Sequence, residues 1–205
     1  MRGRFISLEG GEGVGKSTQL RALADALRSR GLEVVETREP GGSPGAEAIR
    51  SLLLGGAEDR WGPRAEALLF AAARADHVDK TIRPAVERGA WVLCDRFLDS
   101  SLAYQGGAGG LGIAAVLEIN RFGIADYLPD RTLLLLHPQG SERARKRDAG
   151  ESDRIGSRPA AYHQAVDAAF RSIAADEAGR VRPIDASGTP EAVTERLMAA
   201  IEDLL

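Results

Sequence analysis

The segment Gly10-Gly11-Glu12-Gly13-Val14-Gly15-Lys16-Ser17 leaves this chain few folds to choose from. It fits the pattern G-x-x-x-x-G-K-[ST], and it has the flanks that pattern requires. A short strand-like run, Phe5 to Leu8, precedes it, and a helix from Lys16 to Arg30 follows, with Leu20, Leu23, Ala24 and Leu27 at helical spacing. Backbone N–H groups can all turn toward one anion only where the chain is rich in glycine. The helix N-terminus adds a partial positive charge at the same place. Gly10, Gly11, Glu12, Gly13, Val14, Gly15 and Thr18 are therefore expected to line a phosphate cradle. Lys16 would set its charge on the outer phosphates, and the Ser17 hydroxyl would face Mg²⁺. A glycine-rich turn beside a surface lysine is the plainer alternative, and the flanking strand and helix argue against it.

The rest of the chain alternates short apolar runs with helical stretches. Further strands are expected at Glu33–Thr37, Trp91–Cys94, Thr132–Leu136 and Val181–Ala186. Helices are expected at Ala46–Leu54, Arg64–Asp76, Val78–Arg88, Ile113–Phe122, Ala160–Ala178 and Pro190–Leu205, the last behind a Thr189 N-cap. Gly31 reads as a helix stop, and Pro40–Pro44 and Gly106–Gly112 read as loops. This alternation predicts an α/β fold: one five-stranded parallel sheet flanked by helices, with ligands bound outside the carboxyl ends of the strands. A length of 205 residues suits a single domain, 1–205. The charged stretch at about 141–158 reads as a mobile lid.

Composition removes several function classes. The formal net charge of −3 gives no basic field for nucleic acid, so a phosphorylated ligand is expected to be small and held by local cations. The single cysteine, Cys94, allows no internal disulfide and reads as a small buried hydrophobe. No signal-like or membrane-length apolar run is present, which points to the cytoplasm. Asp95 ends the apolar Trp91–Cys94 run, as a Walker B acid does beside such a loop, and would orient Mg²⁺ directly or through water. The one asparagine, Asn120, is followed by Arg121-Phe122-Gly123, so the guanine-reading Asn-Lys-x-Asp motif is absent. Arginines, in contrast, gather near strand ends (Arg38, Arg74, Arg96) and in the charged stretch (Arg143, Arg145, Arg147, Arg154). Phosphoryl transfer needs such forks around the spread negative charge. A closing arginine-rich lid and a solvated basic face both fit the charged stretch.

Four segments, in order, carry a resemblance to the bacterial thymidylate kinases over nearly the whole chain. They are Phe5–Gly10, Thr37-Arg38-Glu39-Pro40-Gly41-Gly42, Leu69–His77 and the long run Asp95–Gly106. The resemblance implies transfer from ATP to dTMP with Mg²⁺, in a homodimer. It implies Phe70 stacked on thymine, Arg74 donating to a base carbonyl, and Ser101 and Gln105 at the base edge. Arg96 would grip the acceptor phosphate. Tyr104 would lie against the deoxyribose, and Glu12 would accept from the 3′-hydroxyl. Arg38, Pro40 and Ser100 would complete the acceptor pocket, with Glu39 also near the metal. Gly13 stands where some relatives carry a catalytic arginine. The lid motif Asp153-Arg154-Ile155 would supply that cation instead, from Arg154 first and Arg147 second.

The chain departs from the family pattern at Leu136-His137-Pro138-Gln139, at Gly106–Gly110, at Gly156, and in the helix opening at Pro159–His163. These departures fall on the donor side and the lid. Two other readings stay open on the sequence. One is a kinase for another nucleotide, such as dUMP or CMP, or for a deoxynucleoside. The other is a nucleotide-binding protein with weak or no turnover.

Overall fold

Five strands of five or six residues form one parallel sheet in the order β2-β3-β1-β4-β5. They are β1 (Phe5–Glu9), β2 (Val34–Arg38), β3 (Trp91–Asp95), β4 (Arg131–Leu136) and β5 (Val181–Asp185). The computed structural model describes residues 2–57, 59–137, 156 and 158–205. The lid residues Arg143, Arg145, Arg147, Asp153, Arg154 and Ile155 lie outside them.

Side chains alternate across each strand, so each buried strand feeds two cores. On one face Ile6, Leu8, Trp91, Leu93, Leu133 and Leu135 pack with α1 (Lys16–Ser29) and α8 (Pro190–Ala199). On the other, Phe5, Val92, Cys94 and Leu134 pack with α3 (Pro63–His77), α6 (Ile113–Ile124) and α7 (Ala160–Asp176). Cys94 is the small buried hydrophobe expected of it. α2 (Pro44–Leu54) opens on Ser43, whose hydroxyl caps the Ala46 N–H. Thr189 caps α8 in the same way through the Ala192 N–H. Among the described residues no helix is long and apolar enough to cross a membrane.

The structure corrects three expectations. The helices read as Arg64–Asp76 and Val78–Arg88 are one run: α3 passes through a π turn at Val78–Ile82 into α4 (Arg83–Glu87). The Arg83 N–H bonds to the Val78 carbonyl, five residues back. Pro84 has no N–H to offer, and the backbone widens just ahead of it. The glycine stretch from Gly106 is not simply a loop. A short helix α5 (Leu98–Ser101) continues as a π-helical segment, Leu102–Ala108, that includes Gly106 and Gly107. These glycines permit close packing: a Cβ on Gly107 would lie 2.6 Å from the Ala169 Cβ, and one on Gly106 would lie 3.1 Å from the Ile113 Cα. The closing helix ends at Ala199, and a 3₁₀ turn, Glu202–Leu204, follows.

The Gly107 contact can be tested. Gly107→Ala should lose about 1–3 kcal/mol through overpacking against α7. Gly179→Ala, where an added Cβ meets nothing within 4 Å, should leave the melting temperature nearly unchanged. Thermal melts of the two variants side by side check this.

Candidate active site

β1 and β3 pair directly, with Leu8 opposite Asp95, so the loops that leave their carboxyl ends rise side by side. From β1 comes the glycine loop. Gly15, at φ 95°, is the N-cap of α1 and takes a left-handed conformation that side-chain-bearing residues adopt at a cost. Lys16 is buried, and its Nζ donates to the Gly10 and Gly11 carbonyls at 3.1 and 2.7 Å. Burial, with Arg96 adding to it, pulls its ammonium down to about pKa 8, against the opposite pull of Glu12, Asp95 and Glu9. The Ser17 hydroxyl donates to Asp95 Oδ2 at 2.7 Å, which brings together the two residues expected at the metal. A hydroxyl and a carboxylate side by side are the hard oxygen donors that Mg²⁺ takes.

From β3 comes Arg96, at φ 72°. A left-handed conformation costs a non-glycine residue roughly 1–2 kcal/mol, so its surroundings must hold it there. Its N–H donates to the Leu8 carbonyl at 3.0 Å. Its guanidinium donates to Gly10 O (3.1 Å), Ser100 Oγ (2.9 Å), Glu12 Oε1 (2.7 Å) and Tyr104 Oη (3.2 Å). The Tyr104 hydroxyl also donates to Glu12 Oε1 at 3.1 Å. Arg96 is the main reason the Glu12 carboxyl is held down to about pKa 2, against the opposing effect of burial. Glu12 is therefore ionised at neutral pH and acts as an acceptor.

Two cavities open at these loops. One, of about 250 Å³, is lined by Phe70, Arg74, Phe97, Ser100, Ser101, Tyr104 and Gln105, with Arg38, Glu39 and Pro40 on a further wall. The other, of about 650 Å³, runs along the glycine loop from Glu12 to Thr18 and on to Ala186, Gly188, Pro190 and Val193. Glu12, Ser17, Asp95 and Arg96 line both.

The structure brings every predicted acceptor residue to the smaller cavity, but not always in the expected posture. Arg74, one helical turn beyond Phe70, is buried and bonded within the protein. It donates to Glu39 Oε2 (2.7 Å), Asn120 Oδ1 (2.5 Å) and the Phe97 carbonyl (3.0 Å). Three of the five donors of a guanidinium are thereby engaged. Glu39 bonds with both oxygens to neighbours, Arg74 and His77 Nδ1, and lines the same cavity as Ser17 and Asp95. Gln105 is held by Glu66, which in turn pairs with Arg158. Arg38 reaches Glu47 at 3.1 Å, and Arg50, not anticipated from sequence, fixes the Pro40 carbonyl at 2.7 Å.

Sequence reasoning also missed the far wall of the larger cavity: Arg21, Ala186, Gly188, Pro190 and Val193. The signal was present in the Gly188-Thr189-Pro190 turn just beyond the carboxyl end of β5, the edge at which such sheets bind ligands.

Comparison with known proteins decides the family. A sequence model of thymidylate kinase matches residues 8–197. The chain belongs to the thymidylate kinase family. It is 65% identical, over the full length of both chains, to the thymidylate kinase of Rhizorhabdus wittichii. It is 48% identical to that of Bradyrhizobium diazoefficiens and 47% to that of Afipia carboxidovorans, each over all of this chain and 91% of the relative. The matched region contains every residue that lines the two cavities, so membership and geometry refer to the same residues.

A pH dependence follows from Lys16. Only the protonated ammonium attracts phosphate, and in the free protein it loses its proton as pH rises through about 8. The rate at low ATP, kcat/KM, should therefore fall above that pH. At saturating ATP, bound phosphates raise the lysine pKa and kcat should hold to higher pH. Initial rates from pH 6.5 to 9.5 at low and saturating ATP check the separation of the two curves.

Proposed function

We propose that the chain transfers the γ-phosphoryl group of ATP to the 5′-phosphate of dTMP, giving ADP and dTDP. The observation that carries this is the shared wall: two cavities of unequal size meet at Glu12, Ser17, Asp95 and Arg96. The larger has room for the triphosphate nucleotide along the glycine loop. The smaller offers an aromatic face at Phe70 and polar groups at Ser101 and Gln105 for a pyrimidine.

An acceptor phosphate is largely dianionic at neutral pH, since its second pKa lies near 6. One of its oxygens can attack the γ-phosphorus directly as the bond to the β–γ bridging oxygen breaks. No general base is required and no covalent enzyme intermediate forms. Catalysis is positioning and charge screening. Lys16 exchanges its carbonyl partners for phosphate oxygens. Arg96, bordering both cavities, draws the acceptor phosphate toward the donor. Ser17 and Asp95 would hold Mg²⁺, which when bound neutralises charge on the donor phosphates. Glu12 is left as an acceptor for the sugar 3′-hydroxyl, beside Tyr104. Arg74, rigid in its bonds to Glu39 and Asn120, keeps two N–H groups for the base. Arg154, then Arg147, would bring the remaining cation from the lid, a role that rests on the resemblance alone.

The reading is tested by coupled ADP release with ATP and Mg²⁺, offering dTMP, dUMP, dCMP, dGMP and dAMP in parallel. dTMP should lead. dUMP, lacking one methyl group, should trail by about 10- to 100-fold in kcat/KM. Turnover of a purine nucleotide above dTMP would overturn the pocket assignment, and silence on all five would leave a nucleotide-binding protein without turnover. In the same assay Arg154→Ala should lower kcat far more than it weakens dTMP binding. Equal loss of both would move Arg154 out of the transfer step.

A further inference from the structure

Glu9, the last residue of β1, takes no part in the chemistry above, yet it is wholly buried directly beneath it. Its Oε1 accepts from the Phe97 N–H at 2.7 Å and the Ser100 N–H at 3.3 Å, and its Oε2 accepts from the Ser100 hydroxyl at 2.6 Å. Phe97 follows Arg96, the residue with φ 72°, and is the N-cap of α5. Its own side chain offers that helix no cap. Glu9 supplies the cap from another strand, and so fixes the turn that aims Arg96. The second oxygen reaches Arg96 by a different route. Ser100 Oγ donates to Glu9 and accepts from Arg96 Nη1 at 2.9 Å, so backbone and guanidinium are both tied to one carboxylate.

We infer that Glu9 is a positioning residue for the acceptor phosphate, acting through Arg96 along two routes, the Phe97 N–H and the Ser100 hydroxyl. The inference rests on the proposed role of Arg96. The chemistry of the site asks for a carboxylate. All three partners donate, so both oxygens must be acceptors. Glutamine has the same shape but presents an NH₂ at one of the two positions. There it faces either two N–H groups, or the Ser100 hydroxyl, whose proton then loses the oxygen that accepts it. Burial and the nearby Asp99 push the Glu9 carboxyl up to about pKa 7, a cost that the Arg96 charge and the bonds from the Ser100 hydroxyl and the Phe97 N–H only partly offset.

The test is a double-mutant cycle read by calorimetric titration of dTMP into the folded full chain, using wild type, Glu9→Gln, Arg96→Ala and the double variant. Arg96→Ala should weaken dTMP markedly. Glu9→Gln should weaken it about tenfold or more in the wild-type background, the scale of one charge-assisted hydrogen bond. In the Arg96→Ala background the same change should cost no more than about twofold, because its effect runs through the residue already removed. An equal Glu9→Gln loss in both backgrounds would show a structural role independent of Arg96 and overturn the inference. So would a folded Glu9→Gln protein with wild-type affinity. If Arg96→Ala leaves dTMP affinity unchanged, the acceptor-phosphate role of Arg96 falls first and the inference with it. Should circular dichroism show Glu9→Gln unfolded, Glu9→Asp, which keeps two acceptor oxygens but withdraws them by one methylene, takes its place in the cycle with the same expected pattern.

Discussion

The parallel pairing of β1 with β3 sets the terms for the rest of the molecule. Because Leu8 lies opposite Asp95, the chain that leaves β1 and the chain that leaves β3 emerge within hydrogen-bonding distance of each other. One carries the glycine loop, the other Asp95 and Arg96. Ser17 can then reach Asp95, Arg96 can reach the Gly10 carbonyl and Glu12, and Glu9 can cap a helix that begins on the neighbouring strand's loop. Antiparallel neighbours would send those two loops to opposite edges of the sheet. The order β2-β3-β1-β4-β5, with β1 in the middle, also gives the first strand protection on both faces, where Phe5, Ile6 and Leu8 are fully buried.

The sheet face that carries the acceptor cavity is far more polar than a core dictated by stability would be. Arg74, Glu39, His77, Asp99, Glu9 and Thr132 are all buried within or beside it. Each is matched. Arg180 grips both Asp99 oxygens at 2.8 Å, and Ser7, Thr132 and Arg180 share hydroxyl contacts around them. Arg74 lies 5.2 Å from the Phe97 ring centroid as well as on Glu39. Buried ion pairs of this kind seldom stabilise a fold more than apolar packing would. What they provide is fixed direction, which a site built on positioning needs. The opposite face, under α1 and α8, holds almost pure aliphatic packing and contributes the ordinary hydrophobic stability.

How much of this could be read from the sequence depended on how local each signal was. The glycine loop was legible because its eight residues, the strand before it and the helix after it are contiguous. The parallel direction of the strands followed from alternation, whereas their order across the sheet rests on pairings between segments far apart in sequence. Asp95 and Arg96 were legible because they end a continuous apolar run. The Gly106–Gly112 stretch misled because glycine signals two different things, a turn or a close approach, and only the position of Ala169 on α7 shows that Gly107 is the second. Arg74 and Glu39 line one cavity with the other acceptor candidates, but their mutual bond joins residues 35 apart in sequence, and no local pattern announces it. Glu66, the partner of Gln105, and Arg158, which pairs with Glu66, were hidden for the same reason. The lid arginines lie outside the described residues, and the resemblance alone speaks for them.

On the proposed function, Glu12 belongs to the donor loop by sequence and to the acceptor cavity by contact, since it lines both cavities. A substitution there that improves the fit of one nucleotide alters the grip on the other, and Arg96 carries the same double membership. The two binding functions therefore cannot drift independently. Variation that broadens acceptor choice, or that evades a molecule mimicking the acceptor, is confined to the outer wall around Phe70, Ser101 and Gln105, where no donor contact is put at risk. The seam between the cavities is the part of the protein with the least freedom to evolve, and a ligand that spans it would meet the fewest routes of escape.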